Sequence, residues 1–223
     1  MKNHLKLIAG LMLALLIVSC SEGDKKNTQE KKDVVEKSET ATNEPQVLVK
    51  EGIDYEVIED KEQSSEPVVY EFFSYTCPHC YNLEPVMVEW KTKHKPAQVK
   101  FVQIPVYMEQ VAHLTYGFYV AEELGVKDII HPMIFTEWHE KKNIIRKKED
   151  LIPLFEKAGI AASDFEVTYQ SDEVAKKVAR AKQMVEEFSI LSFPQLIVNE
   201  KYKVKSYKNL KELLGKFALD NTK

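Results

Sequence analysis

The chain has 223 residues, of which 30% are charged and 44% hydrophobic, with a formal net charge of -4. That length fits one large domain or two small ones, and the composition is ordinary for a soluble globular protein. Near-balanced charge gives no electrostatic case for nucleic acid. With 7 glycines and no GxGxxG, Walker-type loop or GxSxG, dinucleotide, nucleotide and serine-hydrolase chemistry have no anchor.

The chain opens "MKNHLKLIAGLMLALLIVSC". Lys2 and Lys6 precede an apolar run from Leu7 to Val18 and then small Ser19. This is the layout of a secretory signal, and the run is too short to span a bilayer comfortably. Its end, "LIVSC", resembles a bacterial lipobox. The resemblance makes residues 1–19 a lipoprotein signal peptide and Cys20 the lipidated first residue of the mature protein. Ser21 follows, in place of the Asp associated with inner-membrane retention, which favours an outer-membrane anchor. The competing reading is an ordinary cleaved signal with an incidental cysteine. Export also places the remaining cysteines outside the reducing cytosol, where a disulfide persists.

From Ser21 to about Pro45 the chain is rich in Lys, Glu, Ser and Thr and lacks aromatics. Such a stretch buries too little apolar surface to offset its ordering entropy. Residues 20–46 are therefore expected to be the anchor and a flexible tether, with the folded domain at 47–219.

Within that domain, alternation around Tyr55, Val57 and Ile58 predicts a short strand. "PVVYEFFSY" is β-branched and aromatic and reads as a central strand. After Pro78 the pattern turns helical through Tyr81, Val86, Met87 and Trp90. "VKFVQIPVYM" reads as a second buried strand, ended by Pro105. A mostly helical insert is expected over about 108–182. It contains "AHLTYGFYVAEELG", "DIIHPMIFTEWHEK", "KEDLIPLFEKAG" and "SDEVAKKVARAKQMVEEF", with Gly125 and Gly159 as stops and Ser171 as an N-cap. "PQLIVN" and "KYKVKSY" form a hairpin about "NEK", and amphipathic "NLKELLGKFAL" closes the chain. The class is α/β: one mixed sheet flanked by helices, with a helical block inserted.

Two of the 3 cysteines, Cys77 and Cys80, sit in "EFFSYTCPHCYNLEP" at residues 71–85. Cysteines at i and i+3 of a helix start can close a small disulfide ring. Cys77 would stand at the helix N-terminus, where unpaired N–H groups and the macrodipole favour a thiolate. Pro78 suits the first helical position, since its missing N–H costs nothing there. His79 would stabilise the thiolate further, which makes the disulfide a stronger oxidant. A zinc site would want two more ligands at paired spacing, and there is no second CxxC; His94, His113, His131 and His139 are scattered and read as surface or core residues. A purely structural disulfide this short would stabilise little.

These residues resemble the active site of the DsbA family of thiol:disulfide oxidoreductases, which carries C-P-H-C after a strand ending E-F-F. "ELGVKDIIHPMIF" and "NIIRKKEDLIPLFEKAGI" resemble stretches of that family's helical insert, and "SFPQLIVNEKYKV" its cis-proline loop and hairpin; together they cover about residues 48–219. The resemblance implies a thioredoxin fold with an inserted all-helical domain. It makes Cys77 the exposed nucleophile, Cys80 its buried partner and His79 the thiolate stabiliser. Pro194 becomes the cis-proline facing the disulfide, and Glu71 a buried acid assisting proton movement near Cys80. It implies no cofactor, no metal, substrates that are exported proteins with free cysteines, and reoxidation by a DsbB-like quinone-linked membrane partner. Two departures stand out. Phe193 precedes the cis-proline, where the family has Val or Thr, and its ring would narrow the peptide groove or add apolar affinity. The basic neighbour of the buried acid falls at Gln103, so Glu71 is expected to have its pKa raised by desolvation. The alternatives are a reductase or isomerase of the same fold, and a tethered peptide-binding chaperone.

Overall fold

The structure is a computed structural model that describes residues 48–219. The expected signal peptide, Cys20 and the tether lie outside the described residues. Five strands form one mixed sheet: β1 (Tyr55–Val57), β2 (Val68–Phe73), β3 (Lys100–Pro105), β4 (Gln195–Val198) and β5 (Tyr202–Val204). Their order is β1-β5-β4-β2-β3. Only β2 and β3 are parallel, joined through helix α1 (Pro78–Glu89); the other pairs are antiparallel. Every residue of β2 except Tyr70 is buried, as the apolar run requires of a strand paired on both sides.

The expectation of a second buried strand needs correction. β3 forms the outer edge of the sheet, and its first three residues are exposed or half-buried while Gln103, Ile104 and Pro105 are buried. The run is apolar because its second half faces the core; at an edge, the first half meets water and carries Lys100.

Between β3 and β4 run five helices: α2 (Ala112–Glu123), α3 (Lys127–His139), α4 (Ile152–Lys157), α5 (Ala162–Tyr169) and α6 (Asp172–Glu187). Gly125 and Gly159 follow α2 and α4 with φ of 69° and 84°, the left-handed geometry that ends a helix and that glycine adopts without strain. Ser171 caps α6 by accepting the Val174 N–H at 3.3 Å. "KEDLIPLFEKAG" is not one helix. A 3-10 turn at Lys148–Asp150 leads into α4, which has Pro at its start, where that residue is tolerated.

Two apolar clusters flank the sheet. Phe72, Phe73 and Ile197 pack with Phe118, Ile134, Phe155 and Phe165 of the helical block. Val69, Leu196 and Val198 pack with Leu83 and Met87 of α1 and with Leu213 and Phe217 of α7 (Leu210–Phe217). The helical block and the α1–α7 pair thus bury opposite apolar surfaces, and β2 contributes to both. Among the described residues no helix is long and apolar enough to cross a membrane.

Candidate active site

The strand-to-helix corner after β2 positions the cysteines. Cys77 is the N-cap of α1 with extended backbone (φ -88°, ψ 117°), and Pro78 follows at the first helical position. The Cys80 N–H donates to Cys77 Sγ at 3.4 Å, so the sulfur takes the place of a capping oxygen. Both cysteines carry free thiols. Cys77 keeps 8% of its surface exposed while Cys80 keeps none, which gives one accessible sulfur and one enclosed sulfur. The Ser74 N–H points at Cys80 Sγ at 3.5 Å. Burial pushes the Cys80 thiol far above its ordinary range, and the charges of Cys77 and Glu71 push it the same way. A bare thiolate on Cys80 is therefore strongly disfavoured.

Across from the cysteines, Phe193–Pro194 is a cis peptide bond. The Phe193 carbonyl accepts from Cys77 Sγ at 3.5 Å, and the Tyr207 hydroxyl donates to the Pro194 carbonyl at 2.7 Å. Beside them opens a cavity of about 400 Å³, walled by His79, Leu83, Val86, Phe193, Pro194 and Tyr207. Its lining is mostly apolar with a few polar tips, a composition suited to a ligand with an apolar side chain. His79 is exposed on this wall. The sequence-predicted residues Cys77, Pro78, Cys80, Phe193 and Pro194 thus meet at one corner, with His79 at its open side.

Glu71 lies behind that corner, fully buried in β2. The parallel register sets it opposite Gln103, whose Nε2 donates to Glu71 Oε2 at 3.1 Å. Glu71 Oε1 is buried with no hydrogen-bond partner. Burial pushes its carboxyl up to about 8; the Glu84 charge adds to the rise, while the Gln103 donor and Lys91 oppose it. At neutral pH this group is mostly protonated, so the orphaned oxygen is part of a neutral acid rather than of a bare anion.

Sequence reasoning missed three members of this cluster. Glu84 Oε1 lies 3.3 Å from Gln103 Nε2 and 3.0 Å from His131 Nε2. His131 is buried on α3, with Nδ1 2.8 Å from the Tyr75 hydroxyl. Tyr75 is in turn steadied by His139, whose Nε2–H donates to its carbonyl at 2.8 Å. Glu84 had a legible signal, standing four residues after Cys80 and so on the same helix face. His131 and Tyr75 had none, because the packing of α3 against the corner brings them together. His113 lies elsewhere, bonded to the Ile145 carbonyl.

Comparison with known proteins agrees with the fold. A family model described as thioredoxin matches residues 62–216. The thiol:disulfide interchange protein DsbA of Pectobacterium carotovorum is 34% identical over 151 residues, which cover 66% of this chain and 72% of that protein. Among solved structures, Pseudomonas aeruginosa DsbA superposes with a TM-score of 0.67 at 26% identity, covering 77% of this chain and 93% of its own. A Proteus mirabilis DsbA, solved with the non-covalently bound peptide PWATCDS, gives a TM-score of 0.64 at 29% identity and covers 74% and 92%.

Proposed function

The chain belongs to the DsbA family of thiol:disulfide interchange proteins, and from that premise we propose that Cys77 and Cys80 are its redox pair and that it oxidises dithiols in exported proteins. The observation that carries this reading is the asymmetry of the pair: Cys77 caps a helix and retains exposure beside an apolar groove, while Cys80 is sealed off.

In the oxidised enzyme, a substrate thiolate attacks Cys77 Sγ. The Cys77–Cys80 bond breaks, and its electron pair goes to Cys80 Sγ. Because burial raises that thiol so far, the leaving sulfur must be protonated, and the neutral Glu71 carboxyl is the donor. The substrate's second thiolate then attacks its own sulfur in the mixed disulfide and releases Cys77 as a thiolate. The helix N-terminus stabilises that leaving group. The substrate loses two electrons, and the enzyme disulfide gains them. No cofactor takes part.

The 400 Å³ groove receives the substrate peptide, with Phe193 as its apolar floor and His79 at its rim. The peptide-bound Proteus relative supports such an occupant. Reoxidation falls to a DsbB-like quinone-linked membrane protein. Residues 1–19 direct export, Cys20 carries the lipid, and residues 20–46 hold the domain off an outer membrane; the "LIVSC" motif supports this part.

The test is oxidation of a reduced dithiol peptide by the purified chain. Cys77→Ser and Cys80→Ser should each abolish it, whereas Cys80→Ser given the oxidised, disulfide-bonded peptide should form a mixed disulfide through Cys77. Full activity in Cys77→Ser would reject the mechanism. Intact mass of membrane-extracted protein should show a lipid on Cys20.

A further inference from the structure

The β4–β5 ladder stops just where β4 runs into the redox corner. Its register sets Ile197 opposite Lys203. Carried on in the same register, it would set Pro194 opposite Ser206. The Asn199 N–H reaches Val68 of β2 at 2.7 Å, so by alternation Pro194 turns its carbonyl toward the β5 side. A continued ladder would therefore give that carbonyl the Ser206 N–H. That donor goes elsewhere, to the Asp54 carbonyl at 3.2 Å, beside the Lys205 N–H at 2.8 Å.

Two side chains stand in for the missing ladder. The Tyr207 hydroxyl donates to the Pro194 carbonyl at 2.7 Å, and a backbone hydrogen bond from Leu196 reaches the same hydroxyl. Gln195, buried, sends its Nε2 to the carbonyls of Leu196 and Val204 at 3.0 and 2.8 Å. Backbone groups withdrawn from water need such partners. Burial, aided by the charges of Glu71 and Cys80, pushes the Tyr207 hydroxyl up, so it stays a donor at neutral pH.

The turn that carries Tyr207 is itself pinned. Asn209 Nδ2 donates to Asp54 Oδ1 at 3.2 Å, and Asp54 is buried. Pro194 thus lies between two contacts. On one side the Phe193 carbonyl meets Cys77 Sγ at 3.5 Å; on the other the Pro194 carbonyl meets Tyr207. The Tyr207 ring also walls the 400 Å³ cavity together with Phe193 and Val86. A tie that starts at Asp54 and passes through Tyr207 therefore ends at both the nucleophile and the groove.

We infer that Tyr207 is a positioning residue of the exchange reaction: its hydroxyl holds the Phe193–Pro194 loop where an incoming peptide meets Cys77. The inference rests on the reading that the groove takes the substrate peptide. A loop already in place spares the peptide the entropy of ordering it. The hydroxyl accordingly acts on peptide binding more than on the chemistry at sulfur. A small dithiol such as dithiothreitol has no side chain to seat in the groove and gains little from the hold.

The experiment compares oxidation of a reduced dithiol peptide and of dithiothreitol by the oxidised full-length chain, in wild type, Tyr207→Phe and Tyr207→Ala. Tyr207→Phe keeps the ring in the cavity wall and removes only the hydroxyl. The loss of that hydrogen bond should raise the peptide KM roughly three- to tenfold. The changes in kcat and in the dithiothreitol rate should be smaller. Tyr207→Phe kinetics equal to wild type, with only Tyr207→Ala impaired, would make the ring a wall and overturn the inference. Equal losses with peptide and with dithiothreitol would overturn it too. Should Tyr207→Phe not fold, Asn209→Ala, which frees the turn, is read in the same way. Carbon-13 NMR of the Pro194 carbonyl separates the hold from the exchange reading. Its signal should move in Tyr207→Phe whether or not the peptide is oxidised; an unmoved signal overturns the inference alone, while a wild type that oxidises neither dithiol fails the reading beneath it.

Discussion

At the scale of single residues, Glu71 makes the sharpest demand on the fold. Its folded pKa of about 8 stands above the ordinary 4.5. Below about pH 4.5 it is protonated in both folded and unfolded chains and costs nothing. Between 4.5 and 8 the unfolded chain ionises while the folded one does not, so stability is lost as pH rises through that window. Glu71→Gln should therefore leave the unfolding free energy unchanged near pH 4 and raise it at pH 8, by several kcal/mol. A variant no more stable than wild type at pH 8 would mean the carboxyl is solvated. The same substitution removes the proton donor for Cys80, so the stabilised protein should exchange disulfides more slowly. Glu71 was singled out by the resemblance, which matches it to a buried acid in the strand before the cysteine motif. Its partner across the ladder, Gln103, followed from the resemblance. His131 did not, since nothing local marks a histidine on an apolar helix as a neighbour of a strand acid.

At the scale of elements, caps and turns are the exposed joints. Removing the Ser171 hydroxyl that caps α6 should cost about 1 kcal/mol in denaturant unfolding. Asn199, at the turn between β4 and β5, is more consequential. Its Oδ1 accepts the Val68 N–H at 2.8 Å and its Nδ2 donates to the Phe217 carbonyl at 2.6 Å, so one buried side chain ties β2, the hairpin and α7 together. Its φ of 50° is one that Asn tolerates and Ala resists. Asn199→Ala should cost roughly 3 kcal/mol, from two stranded backbone groups and the strained turn. A loss below about 1 kcal/mol would show that water replaces both bonds. Helix periodicity was legible through α2, α3 and α6, even with Pro132 inside α3, because the apolar face outweighs a single proline. The segment of α4 was read as one helix without its 3-10 entry, and the short α5 was not read at all. Nor was the edge position of β3, since residues 100–105 carry the same apolar signal whether one or two strands flank them.

At the scale of the whole molecule, the βαβ corner, the hairpin and the helical block converge on one sulfur at the edge of the surface, one sealed sulfur and a neutral acid behind them. The order of strands, helices, hairpin and helix was readable because each element announces its own period. The closure of the site was not, because Tyr207 and His131 reach it from separate parts of the fold. The central claim is that this arrangement oxidises dithiols. The measurement that tests it most directly is the reduction potential of the Cys77–Cys80 pair, taken by equilibrating the chain with glutathione buffers. A thiolate at a helix cap stabilises the reduced form, so the value should lie near the about -120 mV of DsbA. A value near the about -270 mV of thioredoxin would contradict the account and make the pair a reductant.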